Sequence, residues 1–193
     1  MWKSYIIIDG NYVRAESKKQ FGKLSFDYSD FVHNLVDYVK KQLNLDNLTL
    51  IRAYYYDSPP FSDPKVLKPH EKEFAKNRQR FLDKLRYLSK FEVVLGRIQY
   101  KGRNEKGHLI VTQKGVDVKM AIDLIDFAYR ADYVILVTGD NDLVPAIKMA
   151  KQKTNANIIL FYFENKKSRL LNELISEADF SFIINRELFQ VRK

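Results

Sequence analysis

The sequence predicts an α/β protein built on a mainly parallel sheet, and two observations predict it. Short apolar runs with the length of buried strands end abruptly at polar turns. Between them lie segments whose apolar residues recur at helical spacing. Strands thus alternate with helices, the pattern of right-handed crossovers in a parallel sheet. In chain order, residues 5–8 (Tyr-Ile-Ile-Ile) make the first strand and stop at a turn, Asp9-Gly10-Asn11. Phe31, Leu35, Val36, Val39 and Leu43 mark a helix with Ser29 or Asp30 as its N-cap. Residues 48–56, rich in Leu, Thr, Ile and Tyr, make the second strand, closed by Asp57-Ser58-Pro59-Pro60. The stretch 58–69 carries four of the five prolines, which fix φ and remove donors, so it is a semi-rigid loop. Residues 71–88 read as a basic amphipathic helix with Phe74, Phe81, Leu85 and Leu88 on its apolar side. Residues 91–100 and 109–113 read as strands joined by the polar turn 101–107 into a hairpin, an appendage or an edge extension of the sheet. A helix over 116–130 aligns Met120, Leu124 and Phe127, and a strand over 133–137 ends at Thr138-Gly139-Asp140-Asn141-Asp142 before a helix over 143–151. A strand over 157–163, a helix over 168–176 and a strand over 180–184 complete the pattern. No repeat or low-complexity segment interrupts it, and one domain over residues 1–193 is expected.

Composition narrows the function classes. Hydrophobic residues at 46% and aromatics at 13% supply a core and exclude global disorder. The absence of cysteine excludes disulfide scaffolds, thiolate metal sites and cysteine nucleophiles. His33, His70 and His108 lie far apart in sequence. No run approaches the roughly 20 apolar residues of a membrane span, and Asp9 falls too early for a secretory signal, so a cytoplasmic protein with no membrane partner is expected. The net charge is +9. Residues 65–106 hold thirteen Lys or Arg against five acids, so this segment alone carries +8. Such a concentration points to a polyanionic partner, RNA first and DNA second, with a solubilising charged face as the alternative.

The acids fall at strand ends. Asp9 follows the first apolar run directly, Asp140 follows residues 133–137 by three, and Asp117 opens a helix after Lys114-Gly115-Val116. In an open parallel sheet, ligands bind outside the carboxyl ends of the strands, so separate strands can deliver these acids to one crevice. Asp142 and Asn11 follow Asp140 and Asp9 by two residues each. Clustered carboxylates suit Mg²⁺ or Mn²⁺, which would relieve their repulsion, align a phosphodiester and generate hydroxide from water. Each acid also has a reading as a turn or helix-cap residue, and Asp123 and Asp126 read as a solvated helix face.

These motifs resemble a known set. Ile6-Ile7-Ile8-Asp9-Gly10-Asn11-Tyr12 looks like the opening motif of NYN-domain proteins in the PIN-like nuclease superfamily. Lys114-Gly115-Val116-Asp117-Val118, followed by Asp123, resembles the central motif. Val137-Thr138-Gly139-Asp140-Asn141-Asp142-Leu143-Val144-Pro145 is similar to the third, with Leu143 where phenylalanine is usual. The ordered set spans about residues 4–185, and its layout looks most like the bacterial LabA-like subgroup. The resemblance implies a Rossmann-like α/β/α sandwich and metal-dependent ribonuclease activity. It places Asp9, Asp117 and Asp140 on the metal-binding acids, Asp142 on a further acid and Asn11 beside the site. Asp123 matches a recurrent acid of the central helix. Family members of regulatory character imply the alternative of an RNA-binding regulator with little or no turnover.

The remaining candidates concern substrate binding. Lys72, Lys76, Arg80 and Lys84, four apart, form one stripe for phosphates, which Arg97, Lys101, Arg103 and Lys106 extend along the hairpin. Lys114 can touch a phosphate or tune Asp117. Among Tyr54, Tyr55 and Tyr56, one ring can stack on a base, the other reading being core. His108 reads as a surface residue. No Walker-type or GxGxxG phosphate cradle is present, against a small-molecule phosphoesterase. Trp2 or Leu188-Phe189 offers apolar surface for a homodimer.

Overall fold

The computed structural model describes residues 1–22, 26–164 and 169–191. Six strands form one parallel sheet in the order β3-β2-β1-β6-β7-β8: β1 (Trp2–Asp9), β2 (Leu48–Asp57), β3 (Phe91–Leu95), β6 (Tyr133–Val137), β7 (Asn157–Tyr162) and β8 (Phe180–Ile183). The chain builds outward from β1 in one direction through β2 and β3. It then returns to the other side of β1 and builds outward through β6, β7 and β8. The winding therefore reverses between β1 and β6, and in open parallel sheets ligands bind outside the carboxyl ends of the strands at such a reversal.

Helices cover both faces. The side chains of β1 alternate, so Ile6 and Ile8 pack in one buried layer and Tyr5 and Ile7 in the other. The first layer takes α1 (Gly10–Phe21), α2 (Tyr28–Leu43) and α3 (Pro69–Arg86) through Val13, Phe31, Leu35, Leu82 and Leu85. The second takes α4 (Val116–Arg130), α5 (Val144–Lys153) and α6 (Arg169–Glu177) through Met120, Leu124, Ile147 and Leu174. The expected Rossmann-like α/β/α sandwich is the fold observed. No described helix is long and apolar enough to cross a membrane.

Several expectations are corrected. Asp9-Gly10-Asn11 is not a free turn, because α1 begins at Gly10 with Asp9 as its N-cap. The periodicity missed α1 because its inward positions are Gly10, Val13 and Ser17, which carry little apolar signal. The cap of α2 is Asp27, whose carboxylate accepts from Ser29 N at 2.6 Å, rather than Ser29 or Asp30. The expected strand 91–100 breaks at Gly96, where a Cβ would lie 2.6 Å from the Lys114 carbonyl oxygen. Beyond that break, β4 (Arg97–Arg103) pairs antiparallel with β5 (Leu109–Lys114) as a separate two-stranded sheet, so the hairpin is an appendage. Helix α3 starts at Pro69, with the Glu71 carboxylate accepting from Lys68 N at 2.8 Å. Phe74 stands 73% exposed, and Leu82 takes the inward place. Leu188 and Phe189 are buried, with the Phe189 ring stacked 4.7 Å from Phe31, so they close the core. The expected helix start at Ser168 lies outside the described residues.

Candidate active site

Strand β1 ends at Asp9, and the turn after β6 presents Asp140 and Asp142. These are the two strands that flank the reversal of the sheet. Two of these acids cap the segment that follows them. Asp9 Oδ1 accepts from Tyr12 N at 3.0 Å, capping α1, while Oδ2 accepts from the Thr138 hydroxyl at 3.4 Å. Asp140 Oδ1 accepts from Asp142 N at 3.0 Å, capping the 3-10 turn Asn141–Leu143. A carboxylate has lone pairs on both oxygens, so a cap does not exclude a ligand role. The cap and site readings hold together at these positions.

The two strand ends are locked against each other. The Tyr12 ring lies where a Cβ on Gly139 would be, 2.5 Å from the nearest ring carbon, and the Tyr12 hydroxyl accepts from Phe163 N at 2.8 Å. Only glycine leaves room for the ring, which seats the β1 end beside the β6 turn. A Cβ on Gly10 would likewise strike the Tyr55 ring, at 2.2 Å. Asp117 joins from the first turn of α4, whose N-cap is Gly115.

Electrostatics shows that the acids share one neighbourhood. Burial pushes the Asp9 carboxyl up to about 6, and the Asp140 and Asp117 carboxylates add to the rise, against the pull of Tyr12 N and the Thr138 hydroxyl. Burial, followed by Asp140 and then Asp142, also raises Asp117. Asp140 thus acts on both Asp9 and Asp117, and Asp142 on Asp117. Among the described residues, no group of three or more His, Asp or Glu side chains stands as a ready-made metal cage. The donor set nevertheless fits a hard divalent cation: it is all oxygen, and its charges oppose one another.

Asn11, two residues after Asp9, makes a contact of its own. Its side-chain oxygen accepts from Arg14 Nη2 at 3.3 Å, turned towards a second cluster. There Asp57, 1% exposed at the end of β2, receives both Arg14 and Arg78, with the Tyr55 hydroxyl at 3.2 Å and Ser58 N at 2.7 Å. Sequence reasoning treated Asp57 as the close of a strand. The available signal was the one used for Asp9, an acid directly after an apolar run.

The predicted binding residues divide. Lys72, Lys76, Arg80 and Lys84 are all exposed along α3, and Arg97, Lys101 and Lys114 are exposed on the hairpin. Arg103 is committed elsewhere. Its guanidinium forks onto Glu71 at 2.7 Å for each oxygen and reaches the carbonyls of Val66 and Gly107, tying the hairpin to α3. Tyr55 and Tyr56 are fully buried and offer no stacking face, while half-buried Tyr54 has its ring centroid 4.5 Å from that of Phe127. Asp123 accepts from the Tyr56 hydroxyl at 2.6 Å and is part of the packing, while Asp126 pairs with Arg130.

The NYN domain family model matches residues 3–186. No curated protein matches the chain. Among solved structures, it is similar to a protein of unknown function from Vibrio parahaemolyticus, with 23% identity and a TM-score of 0.63 over 96% of this chain and 94% of that one. Its likeness to MurG from Acinetobacter baumannii, at 11% identity and a TM-score of 0.43 over 99% of this chain and 44% of that one, carries no argument. The Vibrio likeness bears on the fold. The family match spans the sheet, all four acids and both flanking layers, and the chain belongs to the NYN domain family.

Proposed function

We propose that the protein is a metal-dependent ribonuclease. The observation that carries this reading is the proximity of these acids where the sheet reverses, with Asp117 and Asp140 acting on Asp9 and Asp140 and Asp142 acting on Asp117. Membership of a family in the PIN-like nuclease superfamily supports it. Asp9, Asp117 and Asp140 would hold Mg²⁺ or Mn²⁺, with Asp142 as a further acid. Such an ion supplies neutralisation of phosphate charge and activation of water. The chain's own residues orient the site: Tyr12 N and Thr138 fix Asp9, and Asp142 N fixes Asp140. Asn11, two residues after Asp9, would position the metal or the substrate. The exposed cations of α3 and the hairpin gather the phosphate backbone, offsetting the repulsion an acidic crevice exerts on RNA.

The test uses purified wild type and Asp140→Asn, with end-labelled single-stranded RNA, duplex RNA and single-stranded DNA in Mn²⁺, Mg²⁺ or EDTA. Asn keeps the cap acceptor, so the variant retains its fold and its RNA binding. Cleavage that needs metal and disappears in Asp140→Asn is the expected result. Intact RNA in every lane, with a wild-type shift of the RNA, replaces the nuclease with a binding regulator.

A further inference from the structure

A cavity of about 620 Å³ lies between the proline-rich loop, α3 and the hairpin. Its walls are apolar, with Phe61, Leu67, Phe74, Ile98, Leu109 and Val111 among them. Its floor is the Arg14–Asp57–Arg78 cluster, two guanidiniums on one carboxylate, which leaves a net positive charge. Arg78 is 13% exposed and, among the described residues, bonds Asp57 and Tyr55 through Nη2, leaving its Nε and Nη1 donors for a ligand. The floor is joined to the candidate active site, because Arg14 also holds Asn11, two residues from Asp9. On the adjacent face of α3 a second depression of about 440 Å³ shares Pro59, Pro60, Leu67 and Ala75 with the first and includes Lys72 and Lys76. Phe74 is a 73% exposed aromatic flanked in sequence by these cations. The exposed ring lines the first depression and the two cations the second, and aromatic faces beside basic side chains hold unpaired bases.

We propose that the cavity takes a single unpaired nucleobase of the RNA strand, with the flanking phosphates on Lys72 and Lys76. This rests on the RNA reading above and adds the form of the substrate: single-stranded at one position beside the cleaved bond. Arg78 offers donors only, so it favours a base with carbonyl oxygens, such as uracil or guanine, over adenine, whose acceptors are the weaker ring nitrogens. Phe74 covers the base at the mouth, and Val111 lies against it from the hairpin. A paired base cannot enter, which excludes duplex.

The test is fluorescence anisotropy in EDTA, where no cleavage occurs, with 12-mers of U and of A and a 12-base-pair RNA duplex. Wild type binds the U 12-mer more tightly than the A 12-mer. Phe74→Ala, which removes an exposed ring, and Val111→Trp, which fills the cavity, each weaken the U 12-mer roughly 5- to 100-fold and leave duplex binding unchanged. The proposal is overturned if neither variant moves the U 12-mer, if both weaken duplex equally, or if wild type binds no single strand. Cleavage in Mn²⁺ is scored separately. Cutting that persists with unmoved affinities removes the pocket and keeps the nuclease. Affinity losses without any cutting keep the pocket and remove the nuclease.

Discussion

Asp9→Asn should make the metal-free protein more stable. The Asp9 carboxyl stands at about 6 in the fold against 3.8 as its ordinary value, which corresponds to about 3 kcal/mol of disfavour for its ionised form. The sign follows from linkage. A raised carboxyl costs nothing below 3.8, where it is protonated in both states, and the cost is fully present above about 6. Asn carries no charge, yet its side-chain oxygen still accepts from Tyr12 N and its amide can donate to the Thr138 hydroxyl, so the cap survives. At pH 8 in EDTA, Asp9→Asn should gain up to about 3 kcal/mol, or roughly 6 to 12 °C in Tm for a chain of this size. The gain should fall to about half at pH 5 and shrink further towards pH 4. Saturating Mn²⁺ should close the gap from the other side, because ligand at about 100 times Kd stabilises wild type by about 2.7 kcal/mol while the variant gains less. Scanning calorimetry across pH and metal concentration measures all three. A variant no more stable than wild type at pH 8 in EDTA, or a gain independent of pH, would refute the argument.

Gly139→Ala should lower stability by about 1–3 kcal/mol and reduce cleavage, because its Cβ meets a Tyr12 ring held in place by Phe163 N; a thermal melt within 1 °C of wild type would count against the lock. Replacing Lys72, Lys76, Arg80 and Lys84 by Ala should flatten the slope of log affinity against log salt for single-stranded RNA by about 3, at roughly 0.7 per phosphate contact; an unchanged slope assigns the stripe to solubility. Arg103→Ala should accelerate amide exchange in β4 and β5 without touching the central sheet. In the wild type Arg103, with help from Lys68 N, holds Glu71 down to about 2 against an ordinary 4.5. The stabilisation this gives the hairpin is present above 4.5 and is lost as pH falls towards about 2, so exchange protection of the hairpin should decline within that window.

The strand ends were the most legible part of the sequence. An apolar run of fixed length cut off by an acid marks both a strand terminus and a side chain delivered to the sheet edge, and Asp9 and Asp140 are found there. Strand order was not legible, since nothing in local periodicity says that β6 lies beside β1. Helix α1 was hidden because close packing at Gly10 and Ser17 uses small residues that periodicity does not register. Phe74 misled in the opposite sense: helical spacing assigns it to the core, but the chain offers it a cavity mouth. The three consecutive tyrosines carried two readings, a stacking ring or core, and alternation in β2 sends Tyr55 into one core layer and Tyr56 into the other. The Asp57 cluster draws on β2, α1 and α3, so its meaning appears only when those elements converge.

The capping of a helix or turn by Asp9 and Asp140, the same acids proposed as metal ligands, has a consequence for how such a protein loses its chemistry over time. A lineage that drifts to alanine at either position forfeits a cap worth about 1 kcal/mol along with the ligand, and selection for folding opposes that route. Drift to asparagine or serine keeps the local fold signal and, at position 9, relieves buried charge. Retired descendants of this chain should therefore carry Asn or Ser at these positions, and should be more heat-resistant than their active ancestors.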